Sequence, residues 1–173
     1  RGVSFLKVEH ENGEDEMRMW LPAFKRVRRI SVKKKGDSFM GSDLTFEDLS
    51  NRDLTHNNYK RLDDDMFDKV ECFVLETLPK KEAQSSYSRH VSWIDKKTFN
   101  LLKEISYDER GVLEKDKRFE YELIKSFFIL KRVLVNNTVK QHSTEIIFTD
   151  ILVDMGIKSD LFHEKNLRRL PKD

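Results

Sequence analysis

The residues with the most chemical potential are a cationic run, a few isolated serines and histidines, an aspartate triplet and one cysteine. Lys25-Arg26-Val27-Arg28-Arg29, followed by Lys33-Lys34-Lys35, is the densest basic stretch. Such a run can meet the phosphates of nucleic acid or of anionic lipid, or it can be a solvated strand whose charges discourage edge-to-edge pairing. It lacks the interleaved aromatics on which single-stranded nucleic acid stacks. Phe39-Met40-Gly41-Ser42-Asp43 approaches a nucleophile elbow, but Leu44 stands where Gly-x-Ser-x-Gly needs its last glycine. Gly41 instead permits a sharp bend, with Phe39 and Met40 turned into a core or cavity.

Asp63-Asp64-Asp65 lacks the alternating oxygen ligands and turn glycine of a calcium loop. The histidines at 10, 56, 90, 142 and 163 show no HExxH or HxH spacing. Cys72, within Val70-Glu-Cys-Phe-Val-Leu, reads as a small buried apolar residue, and a lone cysteine builds neither an internal disulfide nor a CxxC zinc site. No catalytic residue, metal ligand or cofactor is assigned on these grounds. An esterase acting on bound lipid would need Ser42 or Ser92 close to His90 or His142 in the fold.

The aromatic phrase Trp20-Leu21-Pro22-Ala23-Phe24 has different potential. Pro22 cannot donate to a β-ladder, so it ends or kinks a strand between the two rings. Packing at a sheet corner and lining of a concave apolar cavity are both compatible with that pattern.

The elements that must carry these residues have a dominant period of two. Val3, Phe5 and Leu6–Val8 open one strand; Met17, Met19 and Leu21 alternate with Arg18 and Trp20 in a second, with a turn at Gly13. Lys25 to Val32 reads as a basic strand. Strands follow over 71–78, 87–94, 99–107, 112–124, 127–135 and 144–152, joined by short polar turns. Asn51 to Asp68 reads as a polar loop, and the segments 42–50 (Thr45 as N-cap) and 161–170 read as helical. Eight or nine strands at near-hairpin spacing make a mainly β, α+β fold: an antiparallel sheet, curved or closing toward an open barrel.

The 173 residues suit one domain, whose core can bury about two-thirds of the unfolded surface. Thirty-three basic and 31 acidic side chains leave a net charge of +2, too small a field to steer the chain to nucleic acid. No run of apolar residues reaches the length of a membrane-spanning helix. The sequence opens in a strand-like alternation, without initiator Met or signal peptide, and is expected to be trimmed upstream.

Several phrases together resemble one family. Met19-Trp20-Leu21-Pro22-Ala23-Phe24-Lys25-Arg26-Val27-Arg28-Arg29-Ile30, Ser38-Phe39-Met40-Gly41-Ser42-Asp43 and Phe46-Glu47-Asp48-Leu49 are similar to the outer-membrane lipoprotein-sorting, LolA/LolB-like proteins, in their less-characterised branch. Pro79-Lys80, Tyr87, Val91-Ser92-Trp93-Ile94-Asp95, Tyr107-Asp108 and Asn166-Leu167-Arg168-Arg169 extend the likeness. It implies a strongly curved antiparallel half-barrel with short helices over its concave face, one domain over 1–173 that lacks the family's first helix and leading strands. It implies a non-enzymatic, periplasmic carrier, soluble or lipid-tethered, that holds the acyl chains of a lipid or lipoprotein. On this resemblance Trp20, Leu21, Phe24, Phe39, Met40, Trp93 and Phe99 are the expected cavity residues, and Arg28 and Arg29 the expected headgroup or partner contacts. The alternative is an envelope adaptor whose concave face binds a protein partner.

Overall fold

The computed structural model describes residues 2–8, 10, 16–31 and 34–168, which divide into two compact units, 1–35 with 152–173 and 36–151. The expected turn at Gly13 lies outside the described residues.

The smaller unit is built on three antiparallel strands, β1 (Ser4–Val8), β2 (Glu16–Leu21) and β3 (Arg26–Ile30), in that order. Met17 and Met19 are buried and alternate with half-buried Arg18 and Trp20, the period-two pattern expected of a strand with one covered face. Pro22 ends β2 and begins a single 3-10 turn, Pro22–Phe24, where its fixed φ and missing N–H cost nothing. Lys25 closes that turn in the left-handed region (φ 48°), donating its N–H to the Pro22 carbonyl at 3.1 Å. The segment 161–170, expected as a helix, forms two short 3-10 pieces, Ser159–Phe162 and Glu164–Arg168. Leu167 of the second is buried, its carbonyl accepts from the Ser4 hydroxyl at 2.5 Å, and the Arg168 guanidinium lies 5.5 Å from the Trp20 ring.

The larger unit is a seven-stranded antiparallel meander. Its strands are β4 (Asn57–Phe67), β5 (Val70–Pro79), β6 (Tyr87–Asp95), β7 (Leu101–Asp108), β8 (Leu113–Ile124), β9 (Phe127–Asn137) and β10 (His142–Ile147). Each pairs with its sequence neighbour, and β4 and β10 are the two edges, so the sheet does not close into a barrel. The polar stretch read as a loop contains β4, an eleven-residue edge strand with a register shift between Leu62 and Asp65. Its side chains are mostly exposed on both faces, which erases the apolar alternation that marks a strand; the ladder to β5 holds it.

Residues 36–56 run across one face of this sheet as a strap of turns with one 3-10 piece, Leu54–His56, and not as the helices expected over the face. The capping chemistry read at Thr45 is present: its Oγ1 accepts from the Asp48 N–H at 3.2 Å, and Asp48 Oδ2 accepts from the Thr45 N–H at 2.9 Å. No helix follows, because Asp43, Leu44, Thr45 and Phe46 are all buried, and one face of a helix cannot bury four consecutive residues. Leu44 packs with Val133 and Val135 of β9, joined by Phe39, Leu49, Phe119, Leu130 and Ile146.

Candidate functional site

Strand register places the site. One row across the sheet reads Leu75, Ser92, Glu104, Lys117 and Val135; the parallel row two residues along reads Thr77, His90, Ser106, Lys115 and Asn137. All share the face beneath the strap, because side chains alternate along each strand. Toward the other end of the same face lie Ile94, Leu101, Phe119, Leu130 and Val133. Between this face and the strap runs a groove of about 480 Å³, within the range that holds a small organic ligand. Leu44, Leu49 and Leu54 of the strap wall one side, and Phe99, Ile146 and Phe148 complete the apolar lining.

The charged part of the face is tightly paired. Asp48 takes Lys115 Nζ at 2.8 Å on Oδ2 and Lys117 Nζ at 2.9 Å on Oδ1. Lys117 reaches on to Glu104 at 2.7 Å, and Glu104 also accepts from the Ser92 hydroxyl at 3.0 Å and from both terminal nitrogens of Arg52. Burial by itself would raise the Asp48 and Glu104 carboxyls, but Lys117 with Lys115 in one case, and Lys117 with Arg52 in the other, hold both far below the usual carboxylate range. Tyr87 accepts from Lys115 Nζ at 2.6 Å and donates to Asp48 at 3.0 Å; burial, then the Asp48 charge, raises its phenol. The strap is thus fastened to β7 and β8 by ions taken out of water.

Acid–base chemistry finds no poised group in this network. His90 is pushed down to about 3, by burial first and then by Arg52, so it is neutral at pH 7. It does face a serine, with Nδ1 2.9 Å from Ser106 Oγ, but both residues are fully buried and neither lines the groove. Ser92 donates to Glu104 and Ser42 to the Phe39 carbonyl, while His142 pairs with Asp43 at 2.7 Å. Asp64 is paired with Arg61 and Lys96, and Asp65 accepts from the Trp93 indole at 2.9 Å. Cys72 is buried, and burial raises its thiol.

The expected cavity residues separate. Phe99 lines the groove, 71% exposed and stacked on Phe73 at 6.2 Å. Phe39, within the strap, packs against the Leu44, Val133 and Val135 cluster and edge-on to Phe46 at 5.6 Å. Met40 is exposed at the bend it forms with Gly41, where Met40 and Gly41 both have positive φ. Trp93 points to the opposite face, since its neighbours Ser92 and Ile94 both line the groove. Trp20, Leu21 and Phe24 belong to the smaller unit, as do Arg28 and Arg29. Those two arginines sit on opposite faces of the three-stranded sheet, Arg28 beside Met19 and Arg29 beside Arg18. Sequence reasoning passed over Asp48, Glu104, Lys115 and Lys117. The available signal was Lys115 and Lys117 in phase with Phe119 along β8.

Comparison with known proteins follows the fold. A family model described as "Uncharacterized protein" matches residues 1–169. A domain described as an outer membrane lipoprotein-sorting protein, from Vibrio parahaemolyticus, superposes with a TM-score of 0.90 at 33% identity, covering 97% of this chain and 72% of that one. A DUF1329 family protein from Desulfovibrio piger gives 0.90 at 31% identity, with 96% and 71% covered. A LolA superfamily protein from Nitrosomonas europaea, 13% identical, shares the fold with a TM-score of 0.61 over 94% of this chain and 88% of its own. No curated protein matches the chain.

Proposed function

Since this chain belongs to the family of the outer-membrane lipoprotein-sorting domain and the DUF1329 protein, we propose that it is an acyl-chain carrier of the periplasm. The observation that carries this reading is the apolar groove between the strap and the seven-stranded sheet. An acyl chain entering it leaves water at a gain of about 0.8 kcal/mol per methylene buried, without any covalent step. Leu49, Leu101, Phe119, Ile146 and Phe99 are the wall it would touch. The saturated ion network beneath offers the ligand no unpaired charge, so affinity rests on the chain and not on a buried headgroup. Arg28 and Arg29 face opposite sides of their sheet, so a headgroup or partner at that sheet engages one of the two. Within the described residues no helix is long and apolar enough to cross a membrane.

Native mass spectrometry of the protein purified without detergent, followed by lipid extraction, tests the reading. A co-purifying phospholipid or acylated species near one per chain is the expected result. An empty protein that also takes up no fluorescent fatty acid overturns it in favour of a partner-binding module.

A further inference from the structure

We propose that one end of the seven-stranded sheet is a docking edge for a phospholipid bilayer, placed where the groove is apolar; the link to the groove rests on the carrier reading above. In an antiparallel meander the turns after β4, β6 and β8 lie at one end and those after β5, β7 and β9 at the other. The first end exposes Met66, Phe99, Leu123, Phe127 and Phe128, and β10 runs back toward it to bring Phe148. The opposite end exposes Leu54, Tyr59, Leu78, Val112 and Val139, with the single ring of Tyr59 against the four phenylalanines of the first end.

The β8–β9 hairpin singles out the partner. Its last two cross-strand pairs are Leu123 with Phe128 and Ile124 with Phe127. Consecutive pairs project to opposite faces, so the tip is apolar on both sides. Phe127 and Phe128 are 46% and 47% exposed, and Leu123 is 58%. Rings that covered a core, or that sat in a groove of a partner, would occupy one face. A tip apolar on both faces fits a medium that surrounds it, such as the acyl boundary of a membrane. Phe99 and Phe148 belong both to this end and to the groove wall, giving an acyl chain a continuous apolar path from bilayer to groove.

Flotation of the full chain with vesicles of phosphatidylglycerol and with vesicles of phosphatidylcholine is the test. The protein is expected to float with both. Phe127→Ser with Phe128→Ser should lower the partition by roughly tenfold for each ring removed. Leu123→Ser, at an exposed position that leaves both rings in place, should lower it by a smaller factor. Neither phenylalanine lines the groove, so uptake of a soluble fluorescent fatty acid should be unchanged in the double variant. Flotation without any probe uptake would sink the carrier reading and leave the docking edge standing. Wild-type protein that stays with the unbound fraction for both vesicles, or a folded double variant that floats as well as wild type, overturns the docking edge.

Discussion

Arg52 grips Glu104 with both terminal nitrogens, Nη1 to Oε2 at 2.6 Å and Nη2 to Oε1 at 2.7 Å, which fastens the strap to the middle strand of the larger sheet. The two ends of this pair differ in exposure: the Glu104 side chain is 3% exposed and that of Arg52 34%. Removing the buried end should therefore cost more than removing the other.

Glu104→Ala leaves Lys117 and Arg52 without their shared carboxylate in a dry interior, and is expected to lose about 3–5 kcal/mol of stability. Arg52→Ala should lose less, because Glu104 keeps Lys117 and the Ser92 hydroxyl and the arginine is already partly hydrated. Urea unfolding of the two variants gives the comparison; equal losses would contradict the asymmetry.

Stability should fall on acidification in two stages. His90 has its pKa pushed down from 6.5 to about 3 in the folded protein, so between those values the unfolded chain binds the proton more readily. The stabilisation is complete above pH 6.5 and declines as the pH drops through that window, by up to about 1.4 kcal/mol per pH unit. Asp48 and Glu104 have folded pKa values depressed below their ordinary 3.8 and 4.5, so their contribution is full above about pH 5 and is lost as the pH falls further. Chemical denaturation as a function of pH should show both stages, and His90→Gln should flatten the upper one between about pH 6 and 5.

Phe99 holds a φ of 58°, a region that a bulky residue enters at a cost of order 1–3 kcal/mol. Phe99→Asn relieves that cost while removing an exposed ring from the groove wall. Thermal denaturation should show an equal or higher melting temperature, and titration with a fluorescent fatty acid should show weaker uptake. A loss of stability with uptake intact would mean that the ring serves packing alone.

Trp93 offers a control on the opposite face. Its indole donates to Asp65 and its ring lies 5.0 Å from Lys103 Nζ, away from the groove lining. Trp93→Phe is expected to leave fatty-acid uptake within about twofold of wild type, an indifference expected of a residue outside the contact surface. Weaker uptake by tenfold or more would place the ligand on the Trp93 face of the sheet.

The antiparallel class was legible because β9 buries alternate residues, Val133, Val135 and Asn137, and β5 to β9 end in short polar turns, both local properties of the chain. Strand β4 was not, since an edge strand drawn from Asn58, Lys60, Arg61 and three aspartates has no covered face to imprint a period. The cap at Thr45 was readable three residues away, but the strap's refusal to become a helix depends on Val133 and Val135, almost ninety residues on in the chain.

The same division holds for the site. Local alternation and the family phrases determined that the chain makes sheet and that Pro22 breaks a strand, but they began a strand at Phe99, which stands in the turn before Leu101. Which aromatic faces which side was decided only by register: Trp93 and Phe99 are six residues apart, yet strand parity turns one away from the groove and the turn after Asp95 delivers the other to it. The ions under the strap were equally out of reach. Asp48, Glu104, Lys115 and Lys117 are ordinary surface types in sequence, and only strand pairing brings them close enough for each buried charge to be offset by another.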